Sequence, residues 1–184
     1  RPGAVEYVFP KGENAQRMVD RLQASGWRGE IVGPHGSGKS ALLATLIPLL
    51  EQAGRKTLLI ELHDGQRRIG VNLEDTVDVD TPAVLVIDGY EQLGRLSRWK
   101  VKRFCRQHRL GLLVTAHTPV GLPDLFETTV TVELAQKIVE QLQGESARCV
   151  TAEDVALRFS HHKGDLRETL FDLYDFHQQR RRGQ

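Results

Sequence analysis

Apolar residues along this chain fall into short continuous runs that alternate with longer stretches of helical spacing. Five runs predict strands, over Gly29–Val32, Lys56–Leu62, Ala83–Asp88, Gly111–Ala116 and Thr128–Val132. The third run is apolar at every position before its final aspartate, which is typical of a parallel strand covered on both faces. The fifth run is weaker and rests on alternating valines and threonines. Strands that alternate with helices predict an α/β fold with a doubly wound, parallel, five-stranded sheet.

Helical spacing fills the intervals between the strands and dominates the end of the chain. Helices are expected over residues 14–22, 41–53, 91–108, 134–142, 152–159 and 165–178. The segment 63–82 is polar and rich in Asp and Gly, with room for one short helix. We therefore expect an α/β domain over residues 1–132 and a small helical lid over residues 133–184.

Charge is balanced over the whole chain but not along it. The 184 residues include 25 basic and 24 acidic side chains, for a net charge of +1. Seven cations without an intervening acid lie between the third and fourth predicted strands: Arg95, Arg98, Lys100, Lys102, Arg103, Arg106 and Arg109. This run could contact the phosphates of a nucleic acid, or it could be a solvated face whose Trp99 and Phe104 pack on the sheet. The cluster Arg180–Arg182 is a weaker signal, because cations are favoured at any helix C-terminus.

Cysteine use and hydropathy indicate a cytoplasmic protein. Cys105 and Cys149 are far apart and lack metal-ligand spacing, so free thiols in a reducing compartment are the simplest interpretation. No apolar run approaches the ~20 residues of a membrane span, and no secretory pattern opens the sequence. We expect no association with a membrane.

The segment between the first strand and the next helix carries the strongest chemical signal. Its spacing, G-x-x-x-x-G-K-S, is that of a phosphate-binding loop. Glycines allow close approach of the backbone to phosphate oxygens, and the following helix N-terminus favours an anion. Lys39 is expected to reach the outer phosphates, and the Ser40 hydroxyl to bind Mg²⁺. The expected contacts are Gly33, Pro34, His35, Gly36, Ser37, Gly38, Lys39, Ser40 and Ala41. The pattern predicts a bound nucleoside triphosphate.

Asp88 ends the third strand, where a Walker B aspartate would hold Mg²⁺ directly or through water. The alternative is that Asp88 only caps the element that follows, since Asp is favoured at that position. A phosphate loop elsewhere in the same chain favours the metal role.

With one strand between the loop and Asp88 and another after it, the chain resembles the additional-strand class of P-loop ATPases. Towards the C-terminus, Thr151-Ala-Glu-Asp and Lys163-Gly-Asp-Leu-Arg167 resemble the lid of AAA+ ATPases of the origin-binding and loader-like branch. The resemblance covers nearly the whole chain and implies ATP and Mg²⁺. It also implies that Tyr7–Phe9 lie near the adenine.

The resemblance assigns roles to two further residues. Arg167 matches the sensor-2 arginine, which reaches the γ-phosphate from the lid; otherwise it is a surface arginine paired with Glu168 or Asp172. Thr115 falls at the sensor-1 position, which places the attacking water, and His117 could share that task; otherwise Thr115 is ordinary strand packing.

Two departures from the AAA+ pattern bear on catalysis. Gly89 occupies the position of the usual catalytic glutamate, so that role would pass to Glu91, which could equally be a first-turn residue that complements a helix dipole. No Arg or Lys lies between Leu110 and Leu134, where an arginine finger is expected. Because such fingers raise rates by several orders of magnitude, hydrolysis should be slow or depend on a partner.

The sequence therefore predicts a Mg·ATP-binding protein that acts as a weak or partner-stimulated ATPase and a nucleotide-dependent switch. One alternative is a small-molecule kinase with its acceptor pocket in residues 63–82, where Arg67 and Arg68 could clamp an anion. Another is a non-catalytic, nucleotide-gated adaptor for protein or DNA, and self-association is also open. The preference for ATP over GTP rests on the resemblance, because no Asn-Lys-x-Asp motif is present. His161 and His162 are interpreted as loop residues and not as metal ligands.

Overall fold

A computed structural model of the chain describes residues 7–76, 81–143 and 150–182. Five strands and seven α-helices are present in these residues. In chain order they are α1 Ala15–Ala24, β1 Arg28–Val32, α2 Lys39–Gln52, β2 Lys56–Glu61, α3 Leu73–Thr76, β3 Ala83–Asp88, α4 Arg95–Gln107, β4 Gly111–Ala116, β5 Asp124–Glu127, α5 Val132–Gln143, α6 Ala152–His161 and α7 Leu166–Arg182.

All five strands run parallel in one sheet, in the order β2-β3-β4-β1-β5. β4 is central and pairs with β1 on one side, where Ile31 is opposite Thr115, and with β3 on the other, where Ile87 is opposite Val114. The carboxyl ends of β1, β3 and β4 therefore lie side by side. The prediction of a doubly wound α/β fold is confirmed.

The sheet is covered on both faces, as its apolar runs require. β3 is buried at each position except Asp88. One core cluster joins α1 and α2 to the sheet, through residues such as Met18, Leu22 and Leu46. A second cluster on the other face includes Val101 and Cys105 of α4. The two cores hold the sheet ends, and the loops that follow them, in a fixed frame.

Two predicted boundaries are wrong. The last strand is Asp124–Glu127 and not Thr128–Val132. Leu125 is buried in the first core, and Thr131, which directly precedes α5, accepts hydrogen bonds from the N–H groups of Leu134 and Ala135. The sequence gives little strand signal here, because the strand has only four residues and two of them, Asp124 and Glu127 at its ends, are polar.

The helix predicted over residues 91–108 is also shorter than expected. It begins at Arg95, after a separate 3₁₀ turn over Tyr90–Gln92. Gly89 precedes that turn with a left-handed φ of 80°, and Gly94 is extended, so helical geometry cannot run continuously from Glu91. Glu91 consequently lies in a turn at the sheet edge, not in the first turn of a long helix.

The chain forms two compact units. One comprises the chain up to Gly33 together with Lys39–Glu127 and contains the whole sheet. The other comprises Pro34–Gly38 and the chain from Thr128 onward, with α5, α6 and α7. Within the described ranges, no helix is both long enough and apolar enough to cross a membrane.

Polar contacts organise α6 and α7 in the second unit. Thr151 and Asp154 form a reciprocal capping box at the start of α6. At its other end, Arg158 Nε lies 3.3 Å from Asp172 Oδ1, and Nε2 of the C-cap residue His162 lies 3.0 Å from Asp172 Oδ2, so one α7 carboxylate is held by the last turn of α6 and its C-cap. The hydrogen bond from His162 is the main reason that the pKa of Asp172 is lowered, and the backbone N–H of Thr151 is the main cause of the lowered pKa of Asp154.

Acidification should destabilise the second unit through these two carboxylates. Because their pKa values are lower in the folded state, their stabilisation is fully present above the ordinary aspartate pKa, about 3.9, and is lost as the pH falls through the lowered values. We expect Asp154→Asn/Asp172→Asn to weaken the acid dependence of hydrogen exchange in α6. Asp175→Asn, an exposed change on α7, is the control, and equal acid dependence in the wild type and both variants would contradict the assignment.

Candidate phosphate and metal site

Lys39 and Ser40 open α2 directly after the predicted phosphate loop. The Lys39 side chain is buried, with 9% of its surface exposed, and its ammonium donates a 2.7 Å hydrogen bond to the carbonyl of Gly33 at the start of the loop. A buried ammonium is favourable only with polar partners. Lys39 is thus folded back along the loop, where an anion bound by the loop would meet its charge.

The Asp88 carboxylate at the end of β3 contacts Ser40, the other predicted Mg²⁺ ligand. Its Oδ2 accepts a 2.5 Å hydrogen bond from Ser40 Oγ, across 48 positions of sequence. Its Oδ1 accepts a hydrogen bond from Thr115 Oγ1. A carboxylate next to a hydroxyl is a donor set that suits Mg²⁺, so Ser40 and Asp88 could hold this ion together. The structure brings together the two residues that the sequence nominated separately.

Thr115 links the ends of β3 and β4. The side chain is fully buried, and its hydroxyl accepts a 2.9 Å hydrogen bond from the N–H of Gly89 while it donates to Asp88. Strand packing alone therefore does not account for this threonine. Its hydroxyl positions the Asp88 carboxylate, a contact that the sequence did not reveal; the sensor-1 role stays a prediction.

Glu91 has one satisfied and one unsatisfied oxygen. Oε1 lies 3.2 Å from Nε2 of His117, which follows β4. Oε2 is buried and accepts no hydrogen bond from the described residues. Since buried carboxylate oxygens are nearly always partnered, this oxygen is suited to hold a water molecule. Glu91 and His117 thus form a pair at the same sheet edge as Asp88 and Thr115.

The middle of the loop is held by residues of the second unit. Ser37 is buried, and its hydroxyl lies 2.6 Å from that of Thr128, which is also buried. Gly36 has a φ of 66°, and a Cβ at this position would overlap the Asp165 carboxylate. Sequence reasoning missed Thr128, which it placed in a strand. Gly36 is required both for its backbone conformation and for the close approach of Asp165.

Arg167 lies in the first turn of α7 and is exposed. Its guanidinium lies 5.9 Å from the ring centroid of Phe171, one turn on. Asp172, one of the two alternative partners named for it, is instead bound by Arg158 and His162. The sensor-2 role of Arg167 stays a prediction.

The aromatic residues before α1 have structural partners. Tyr7 makes edge contacts with Phe9 and Phe126, at centroid distances of 5.0 and 6.2 Å, and burial raises its pKa to about 12. Both Tyr7 and Phe9 pack against the first core. Their proximity to an adenine stays a prediction.

A hollow of about 290 Å³ lies beside Ser40 and Asp88 and is lined mainly by Leu43, Ala44, Ile47 and Leu59.

The contacts of the remaining described candidates, Cys105 and the histidine pair, indicate structural roles. Burial raises the pKa of the Cys105 thiol to about 12, so this residue is a core side chain and not a reactive thiol; Cys149 lies outside the described residues. His161 is the last residue of α6 and His162 is its C-cap, so the interpretation of His161 as a loop residue is wrong. They lie close to Asp172, but the Arg158 guanidinium already balances that carboxylate, so we interpret the group as a clamp between α6 and α7.

Comparisons with known proteins add little. No protein-family model matches the chain, and no match was found among curated proteins. Among solved structures, the solution structure of protein NMB1076 from Neisseria meningitidis is similar at 18% sequence identity and a TM-score of 0.35, over 63% of this chain and 75% of that one. A likeness at this level carries no argument about function.

Replacing Thr115 with Val should destabilise the first unit, because the isosteric change removes two buried hydrogen bonds and leaves the Gly89 N–H without its partner. We expect a loss of about 2 kcal/mol in the free energy of unfolding, measured by urea denaturation. The control is Thr57→Val, whose hydroxyl bonds the exposed Glu51 and whose loss should stay within about 0.5 kcal/mol. Equal effects of the two changes would contradict the positioning role of Thr115.

Proposed function

We propose that this protein binds Mg·ATP through the loop Gly33–Ser40 and acts as a weak or partner-stimulated ATPase that works as a nucleotide-dependent switch. The observation that carries the proposal is the 2.5 Å hydrogen bond between Ser40 and Asp88. The loop spacing nominates Ser40 as a Mg²⁺ ligand, and the strand pattern independently nominates Asp88. The two predictions are independent of each other, and the fold brings the two side chains into contact across 48 positions of sequence.

The sheet order supports the same proposal. β4 is inserted between β1, which leads into the loop, and β3, which ends in Asp88. This insertion is the feature from which the additional-strand class of P-loop ATPases takes its name. It also brings a polar residue, Thr115, to the sheet edge beside Asp88. Ligands of open α/β sheets bind at this edge, outside the carboxyl ends of the strands.

Hydrolysis would use Glu91 to orient water. Its buried, unpartnered Oε2 can accept a proton of a water molecule, and the contact between Oε1 and His117 fixes the carboxylate. Water would then attack the γ-phosphorus, the bond to the bridging oxygen would break, and ADP would leave, with the water's proton passing to Glu91 or to phosphate. Lys39 would stabilise charge on the transferred group. The absence of Arg and Lys between Leu110 and Leu134 argues for a slow reaction without a partner.

A switch requires that nucleotide binding at the loop changes the structure of other parts of the chain. The loop hydroxyl of Ser37 bonds Thr128, and Gly36 packs against Asp165, the residue that precedes α7. Asp165 also accepts a 3.1 Å hydrogen bond from the N–H of Glu168 in the first turn of α7. A phosphate-induced change in the loop would thus act directly on the start of α5 and of α7. A difference between ATP and ADP at these contacts is the physical basis of the proposed switch.

The first prediction of the proposal concerns binding. Lys39→Ala should lower ATP affinity about 10- to 100-fold, because a charged hydrogen bond to phosphate contributes about 1.5–3 kcal/mol. Isothermal titration calorimetry with and without Mg²⁺ measures this effect. Lys11→Ala, which removes an exposed lysine, is the control. Unchanged affinity in Lys39→Ala would overturn the proposal, as would wild-type affinity that is insensitive to Mg²⁺.

The second prediction concerns turnover. Glu91→Gln should keep ATP binding within about twofold but lower the rate of phosphate release about 10²- to 10⁴-fold, the usual contribution of a positioned base. Glu74→Gln, an exposed change on α3, should have no effect. If the wild-type protein binds ATP tightly and releases no phosphate above the level of Glu91→Gln, the chain is a non-catalytic adaptor and the ATPase part of the proposal fails.

A further inference from the structure

One side of α4 is covered with exposed cations and two exposed apolar residues. We call this surface the outer face of α4, and it consists of Arg95, Leu96, Trp99, Lys100, Arg103, Arg106 and Gln107, which are all exposed. At about 100° per residue, these positions fall within about 140° of the helix circumference. They extend over about 18 Å of helix axis. The outer face is therefore one continuous surface and not a scatter of side chains.

The structure separates the cations of this helix into two groups. Arg98 donates to the carbonyls of Glu91 and Leu93, at 2.6 and 2.8 Å. Lys102 donates to the carbonyl of Val120 at 2.9 Å. These two side chains hold loops of the sheet edge. Arg98 and Lys102 are partly buried and border the outer face on one side, whereas the cations of the outer face are exposed to solvent.

The charge of the outer face is complementary to a polyanionic partner. It presents four cations, Arg109 follows just beyond the helix as a fifth exposed one, and no acidic residue occurs from Gln92 to Arg109. Repulsion between these like charges is not relieved within the helix. A chain of phosphates would neutralise several of them at once and release its own counterions.

The aromatic residue specifies the kind of polyanion. Trp99 is 56% exposed, with the guanidinium of Arg103 lying 5.4 Å from its ring centroid, and Leu96 beside it is 78% exposed. An exposed indole flanked by cations is the arrangement on which unpaired bases stack while phosphates meet the charges. A paired duplex offers its phosphates but not its base faces. We propose that the outer face of α4 binds single-stranded nucleic acid, with one base on Trp99 and phosphates on Lys100, Arg103 and Arg106.

This activity goes beyond nucleotide binding and can be tested without it. The probe is a fluorescein-labelled single strand of about 15 thymidines, titrated by anisotropy at several salt concentrations. Lys100→Gln/Arg103→Gln/Arg106→Gln should weaken binding at least tenfold at low salt and reduce the slope of log K against log salt by about 2, since each phosphate contact contributes about 0.7. Affinity for ATP should not change, because none of the three residues belongs to the phosphate and metal site.

The control variant is Lys11→Gln/Lys137→Gln/Lys163→Gln, which removes the same charge from exposed positions on other parts of the chain. It should bind the strand within about twofold of wild type. Equal loss in both triple variants would reduce the effect to net charge and overturn the site, as would no binding by the wild-type protein at low salt.

Trp99 provides a second readout. Stacking should quench its fluorescence, and Trp99→Leu should remove that quenching and weaken binding by about 1–3 kcal/mol, or about 5- to 150-fold. The signal of Trp27 is separate, since this partly buried indole lies under Arg55. A duplex of the same length, or a polyglutamate peptide of the same charge, should bind more weakly and leave Trp99 unquenched. Equal binding of either competitor would overturn the assignment to a single strand.

Discussion

The carboxylate of Asp88 is the point on which the arrangement of the sheet edge depends. It receives hydrogen bonds from Ser40 at the start of α2 and from Thr115 at the end of β4. Ser40 follows β1, Thr115 belongs to β4 and Asp88 ends β3, so the contacts exist only when these three strands end at the same height. The parallel register, with β4 between the other two, provides that condition. Asp88 in turn ties the helix behind the loop to the centre of the sheet.

This arrangement explains why the chain can keep charged groups near its core. Lys39 is buried against the Gly33 carbonyl, and the Asp88 oxygens each have a hydroxyl donor. Glu91 is the exception, because one of its oxygens is buried with no donor among the described residues. A site with satisfied ligands and one unsatisfied carboxylate oxygen has rigid parts for holding a ligand and one part left for a water molecule.

The sequence predicted those parts of the fold and site that depend on local pattern. The four long strands, the loop and Asp88 each have a signature within a few residues, and the structure confirms the α/β fold. β5 was misplaced because a strand of four residues with polar ends has too few apolar positions to produce a period. The start of α4 was misplaced because Gly89 and Gly94, which set backbone geometry, carry no hydrophobic signal. The hydrogen bonds of Thr128 and Thr115 could not be predicted, since their partners, Ser37 and Asp88, are distant in sequence.

The same reasoning applies to the charges of α4. In the sequence the cations of α4 form a single run, and nothing distinguishes Arg98 and Lys102 from Lys100 and Arg103 as candidates for binding a partner. The structure divides the run because carbonyls of Glu91, Leu93 and Val120, set in place by turns at the sheet edge, take up two of the cations. The helical period then places Arg95, Lys100, Arg103 and Arg106, together with Trp99, within one exposed arc of the helix. Charge along a sequence therefore becomes a binding surface only after the fold has assigned some of it to internal contacts.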